Sequence, residues 1–495
     1  MTPINVIHAA LLHTADHRGK VVMWGGNDYS SDTVLWDPED PVEATAYRLL
    51  TGAASGIGTN RLTCAGMAFL SDGKLLAVGG DNPTRATAWK FNPDSELWEP
   101  AGAMANPRWY PTCVKLGDDS GRVLVVGGST SNGGPAVPDI EVYNESASPP
   151  SFTRVWGPAG VGDTSSNRAL PKLYAGLHLT SNGEIFHTRV GDRTGSPDRT
   201  AVFSFTALDR GQWTDVTDAA SDPDRMEGMA VLLLKQSPTD PDRVLIVGGG
   251  GSTTARSIAV VDVPASASSM WLTGNFPDSV ERTNVNVVAL PDGSVFILGG
   301  IPTGGTPPNG GACMLYRPPS GLGLGTLSTM DTLQYERRHH STALLLPSAK
   351  VMVTGGSSNT VEVFSPPYLF DAFGAPFAES ARPDITSFPD PAAGTIVMHG
   401  STFDIGTSDP MSIDRVVMVK PMAVTHQTDT EQRVIRLVHT VTGPSTISVT
   451  APDGRVYPYG AGGGHTHAIA GRGYYMLFLL NTAGVPSRAK FIRLV

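Results

Sequence analysis

Residues 66–80 read "GMAFLSDGKLLAVGG". An apolar run leads into Asp72-Gly73, a pair that takes the positive φ angles of a tight hairpin turn, and a second apolar run ends in Gly79-Gly80. Runs this short, closed by turn residues, read as two strands of a hairpin buried on both faces. The Gly-Gly lets another stretch of backbone pass close by.

The unit recurs as "HAALLHTADHRGKVVMWGG" (8–26), "PTCVKLGDDSGRVLVVGG" (111–128), "MAVLLLKQSPTDPDRVLIVGGG" (229–250), "VNVVALPDGSVFILGG" (285–300) and "HSTALLLPSAKVMVTGG" (340–356), with a degenerate copy in "GLHLTSNGEIFHTRVG" (176–191). The spacing is near the ~50 residues of a kelch blade. Further strands follow the units, as in "TAWKFNPDSELWEP" (87–100) and "VEVFSPPYLF" (361–370), often with an aromatic to wedge between sheets. Seven units predict an all-β chain opening with a seven-bladed kelch-type β-propeller over 1–367. Beyond it prolines cluster, the Gly-Gly signature stops and shorter strands appear, such as "RVVMVK" (415–420) and "YYMLFLL" (474–480). That change predicts a C-terminal Ig-like β-sandwich over 368–495.

Composition agrees with strands and turns: 56 Gly and 39 Pro against 17% charged residues. A net charge of -10 without a basic cluster speaks against a nucleic-acid partner. No apolar stretch has membrane-spanning length, so no membrane partner is expected. The first twenty residues lack a basic start and a clean apolar core, so they do not read as a signal peptide. On that ground the protein is cytoplasmic, or a leader lies outside this sequence. Cys64, Cys113 and Cys313 are too few and too scattered for a disulfide framework or a zinc site.

Four places carry reactive side chains: Cys64 in "RLTCAGMAF" (61–69), Tyr110 in "PRWYPTC" (107–113), His339 and His340 in "RRHHS" (337–341), and His426 in "AVTHQTDTEQRV" (423–434). The first three precede a blade's inner strand pair, and equivalent positions of different blades lie around one axis. Taken singly, the cysteine reads as a small buried hydrophobe and the tyrosine as a packed aromatic. Arg225 and Arg337 face either a polar substrate or the hydrogen bonds of their own loops. His178 reads as a core histidine, and His465 and His467 as neighbours in a glycine-rich solvent loop.

Together these places resemble the radical-copper oxidases, the galactose oxidase and glyoxal oxidase group. "RWYPT" (108–112) is similar to the glyoxal oxidase segment that holds the radical tyrosine, and "GYYMLFLLNTAGVPSRAKFIRLV" (473–495) is similar to the family's ending. The resemblance implies copper held by Tyr110, His340 and His426, and a thioether joining Cys64 to Tyr110. It implies oxidation of a small aldehyde or primary alcohol, with O2 reduced to hydrogen peroxide, by a secreted monomer. Imidazole and phenolate suit Cu(II) with one position left for substrate.

The family's Tyr-His-Ser, whose tyrosine is axial ligand and base, is His339-His340-Ser341 here. Successive strand residues face opposite sides, which puts one imidazole on copper and the other in packing. The alternative is a three-histidine site with His339 as ligand and base. "GGSTSNGG" (127–134) lacks the tryptophan that stacks on the cross-link in galactose oxidase, leaving Trp109 as a cover for the site and, with Arg337, as a substrate contact. "SVERTNVNVVALPDG" (279–293) lacks galactose oxidase's aromatic-His pair, so a glyoxal-like aldehyde or simple alcohol is expected over galactose. The competing expectation is a kelch propeller that binds a carbohydrate or protein and carries a decayed copper site.

Overall fold

The computed structural model describes residues 1–25, 32–81, 85–117, 121–157, 173–188, 190–191, 200–205, 211–215, 225–236, 240–250, 254–263, 271–301, 312–321, 323–453, 455–457, 464–466 and 469–495. His467 lies outside them, and the side chain of His465 is likewise not described.

Among the described residues, seven antiparallel sheets follow one another up to Phe364. Their first strands are Val6–Leu11, Ala65–Phe69, Trp109–Lys115, Leu177–Leu179, Met229–Leu232, Thr283–Ala289 and Ser341–Leu345. Most are buried along their whole length, as expected of runs without polar alternation. First strands of the second and third, third and fourth, fifth and sixth, and sixth and seventh sheets lie against each other, and Ser341–Leu345 of the seventh sheet lies against Val6–Leu11 of the first.

The Gly-Gly pairs make that approach possible. Gly79 sits at φ +72, and a Cβ there would stand 2.3 Å from the Arg108 carbonyl oxygen of the next sheet. At Gly355 (φ +74), a Cβ would meet the Val6 and His340 carbonyl oxygens at 2.4 and 2.5 Å. Any other residue would drive the sheets apart.

Among the described residues, the C-terminal part forms two larger sheets and a two-stranded one, Arg455–Tyr457 with Gly464–Thr466. One larger sheet holds Thr402–Gly406, Thr446–Thr450 and His439–Gly443; the other holds Val434–Leu437, Ile413–Val419, Gly473–Asn481 and Lys490–Leu494. Ile405, Val416, Ile435, Ile447, Leu477 and Ile492 meet between these two in a core of their own. One excursion decides the function. Ala423–Thr425 pairs with Val6–Leu11 in the register His8 with Thr425 and Ala10 with Ala423, so a C-terminal hairpin joins the first sheet at its inner edge.

Candidate metal centre

Cys64, Tyr110, Asn284 and His340 each precede the residue that pairs with the first glycine of their sheet's Gly-Gly. All four are left-handed, at φ 66, 61, 56 and 70. Tyr174 (φ 39) and Glu227 (φ 62) stand at the matching place in the fourth and fifth sheets. Non-glycine residues rarely adopt this conformation. Its repetition at one position of the fold marks strain held in common by a site.

The left-handed turn at His340 answers the question of its neighbour. Strand alternation breaks there, and both imidazoles of His339 and His340 turn the same way, 4.0 Å apart and 37° from parallel. Of the two readings of the pair, the one with a ring facing away into packing is overturned, and His339 stands beside His340.

His426 arrives on the hairpin from the C-terminal part. With Gln427 it forms the two-residue turn between Ala423–Thr425 and Thr428–Asp429, at φ 43 and 59, the paired positive values of a type I′ turn. Its ring lies 4.5 Å from that of His340 and 5.1 Å from that of His339. One ring nitrogen from each of the three falls within 4.8 Å of the others.

Hydrogen bonds settle the tautomers. Thr425 Oγ1 donates to the Ile7 carbonyl oxygen at 3.0 Å, so at 2.7 Å from His426 Nδ1 it accepts, and that nitrogen carries the proton. The lone pair of His426 then sits on Nε2, which is buried without a protein partner, as is Nε2 of His340. His339 Nδ1 faces Asn284 Oδ1 at 3.3 Å, while Asn284 Nδ2 donates to Glu227 Oε2 at 3.2 Å, which fixes the amide's orientation. Nδ1 of His339 is therefore the protonated nitrogen.

Burial, reinforced by His339, pulls the His340 imidazole down to about 3. Burial, with His340, His339 and His8 nearby, holds His426 well below the ordinary histidine value. Neutral rings with orphaned buried nitrogens are what a metal requires of its ligands. The donor set fits a copper ion.

Beside the imidazoles lies an apolar group of Cys64, Tyr110, Leu173 and Tyr174, all buried. The Tyr110 amide donates to the Cys64 carbonyl oxygen at 3.1 Å. Trp109, half-buried, stacks on Tyr110 at 3.8 Å and 19°. The Tyr110 ring lies 4.4 Å from His426 and 4.5 Å from Tyr174, and Tyr174 stacks on His426 at 4.7 Å. Tyr174, Asn284 and Glu227 were missed in the sequence. Their signal was the repeat position they share with Cys64 and His340.

Arg337 does not face a substrate. Its guanidinium is fully buried and donates to the carbonyl oxygens of Gly355, Ser358 and Thr360 and to Glu362. Arg108 and Arg225 make the same bond to the first glycine of their own pairs, Gly127 and Gly248. These arginines staple each Gly-Gly to its sheet. His178 is buried, with Nδ1 on Gln432 Oε1 at 2.9 Å, as a core histidine.

Residues 54–370 match the family model described as glyoxal oxidase N-terminus, and residues 382–494 match the galactose oxidase-like early set domain. The chain belongs to the radical-copper oxidase family of galactose oxidase and glyoxal oxidase. It is an oxidase by that membership. Among curated relatives, a galactose oxidase of Gibberella zeae is 26% identical, the match covering 96% of this chain and 67% of the relative. An aldehyde oxidase GLOX of Vitis pseudoreticulata is 28% identical, over 87% of this chain and 82% of the relative. A fungal alcohol oxidase of the AA5 family, solved in complex with copper, superposes with a TM-score of 0.76 at 23% identity, covering 100% of this chain and 98% of that one. At that identity the likeness speaks for the radical-copper oxidase fold alone.

Proposed function

We propose that this protein is a copper-dependent oxidase that converts a small aldehyde or primary alcohol with O2 to the oxidised product and H2O2. For an alcohol, two hydrogens leave the carbinol and two electrons pass to dioxygen, giving aldehyde and peroxide. The carrying observation is the convergence of three imidazoles from two distant segments beside buried Tyr110 and Cys64.

His340 and His426 would hold the ion through Nε2, with His339 and the Tyr110 oxygen as the remaining donors. Copper, when bound, supplies a one-electron couple and a position for a substrate oxygen. Tyr110, joined to Cys64 by a thioether and oxidised to its radical, would accept the second electron by taking a hydrogen atom from the substrate carbon. His339 has one lone pair, on Nε2, so it would serve as a donor to the ion and, only when off it, as the base that takes the hydroxyl proton in place of the family's tyrosine. Trp109 would cover the Tyr110 ring and flank the substrate, and its half-buried position supports that role. The seven consecutive sheets support a seven-bladed propeller over 1–367, with an Ig-like sandwich over 368–495 lending it His426. A secreted monomer belongs to the same reading.

The test is intact mass after loading with copper in air. Wild type should lose the mass of two hydrogens, and Cys64→Ser should not. Peroxide release is then measured across aldehydes and primary alcohols. A cross-linked protein that releases none would leave the second reading, a ligand-binding propeller with a non-catalytic copper, which the histidine at position 339 favours.

A further inference from the structure

His8 belongs to no motif that pointed to the metal centre, yet it touches both halves of it. Its side chain crosses from the first sheet to the second, where Nε2 accepts the Cys64 amide proton at 2.9 Å. The ring is held flat against Trp24, 4.7 Å away and 4° from parallel, and Trp24 is itself tied by Nε1–H to the Leu62 carbonyl oxygen at 3.2 Å. His8 is fully buried. Its main chain pairs with Thr425, whose hydroxyl sets the tautomer of His426.

One residue thus couples the cysteine to the ligand hairpin. The Cys64 backbone is left-handed, a conformation that costs free energy at a non-glycine residue, and the imidazole acceptor holds the amide that this conformation presents. A neutral hydrogen bond to a buried amide is modest in net worth, but leaving the donor orphaned is expensive.

We infer that His8 is a positioning residue: by accepting the Cys64 N–H while its strand registers Thr425, it sets the sulfur against the Tyr110 ring for thioether formation. The inference rests on the cross-link proposed above. The step it serves forms one carbon–sulfur bond, removes the thiol hydrogen and one ring hydrogen, and passes two electrons to dioxygen.

The experiment compares wild type with His8→Leu and His8→Gln. Glutamine places an amide oxygen near the position of Nε2 and keeps the acceptor; leucine removes it. After copper and air, the cross-linked fraction is followed over time by intact mass. Amide exchange at Cys64 is measured in the metal-free protein, and melting temperature identifies any variant that fails to fold. Loss of one buried acceptor should slow cross-linking and speed exchange at Cys64 by about tenfold in His8→Leu, with His8→Gln close to wild type. Wild-type cross-linking and wild-type exchange in a folded His8→Leu would overturn the inference. If wild type itself never loses the two hydrogens, the cross-link proposal fails, and exchange at Cys64 with its recovery in His8→Gln still decides whether His8 holds the cysteine.

Discussion

The imidazoles of His340 and His426 meet edge to face, 4.5 Å between ring centres and 82° between planes. They belong to the seventh sheet and to a C-terminal hairpin, and each presents a buried Nε2 with no protein partner. Either ring truncated to alanine should abolish tight copper binding by titration calorimetry. The loss should exceed the roughly 10–100-fold that follows removal of an outer partner of a metal ligand.

Thr425 is such an outer partner. Its hydroxyl links the Ile7 carbonyl oxygen to His426 Nδ1. Thr425→Val keeps the shape and removes the relay, so copper affinity should fall about 10–100-fold while the melting temperature of the metal-free protein changes little. An unchanged affinity would show that hairpin geometry alone orients the ring.

In the function proposed above, position 339 is where this chain has histidine in place of the family's tyrosine. Its imidazole is oriented by Asn284, which is held in turn by Glu227. His339→Tyr restores the family's residue; peroxide release from the copper-loaded variant should appear or rise if histidine is a retuned base, and fall if the Glu227–Asn284 pair has adapted the site to imidazole. Asn284→Ala should lower turnover in wild type and have little effect in His339→Tyr, where the hydrogen bond no longer exists.

The repeat was legible because burial on both faces leaves a continuous apolar run, and close approach of neighbouring sheets demands Gly-Gly. Cys64, Tyr110, His340 and His426 were legible as candidates because their segments resemble a family pattern. The orientation of His339 was not, since alternation along a strand assumes ordinary backbone and His340 is left-handed at φ 70. Arg337 was misjudged for a related reason. An arginine ahead of an inner strand resembles a substrate contact in sequence, and only the path of the Gly355 and Thr360 carbonyls reveals it as a staple. Tyr174 precedes the degenerate copy of the unit and Asn284 and Glu227 precede regular ones, so the signal they share with Cys64 is a place in the repeat and not a residue type.

The staple is itself testable. Arg337 is fully buried and paired with Glu362. Removing one partner of a buried ion pair costs about 3–5 kcal/mol, so Arg337→Ala should lower the denaturation midpoint strongly. At a temperature where the variant stays folded, the KM for any substrate should match wild type. A KM change with unaltered stability would return Arg337 to the substrate.

Acid stability follows from histidines remote from the metal. Burial lowers His13 to about 3 and His178 to about 4, against 6.5 for the free side chain. Between those values the unfolded chain binds protons that the folded protein refuses, so stability is fully present above 6.5 and declines as pH falls toward the folded values. Each such group contributes a slope of up to about 1.4 kcal/mol per pH unit. Asp429 acts in the opposite sense: burial lifts it from 3.8 to about 7, so the folded state holds a proton the unfolded chain has released, and its contribution declines as pH rises through that range. Lowered histidines, His340 and His426 of the metal-free site among them, outnumber this one carboxyl and leave a net loss of stability from pH 6.5 down to 4. His13 is packed against Phe69 and Tyr474 with Nε2 unpartnered, so His13→Phe should flatten that decline in thermal melts of the metal-free protein. Asp429→Asn, which keeps the acceptor for the Ala423 and Glu431 amides, should steepen it. A melting temperature independent of pH over this window in wild type would mean that the buried imidazoles are reached by solvent.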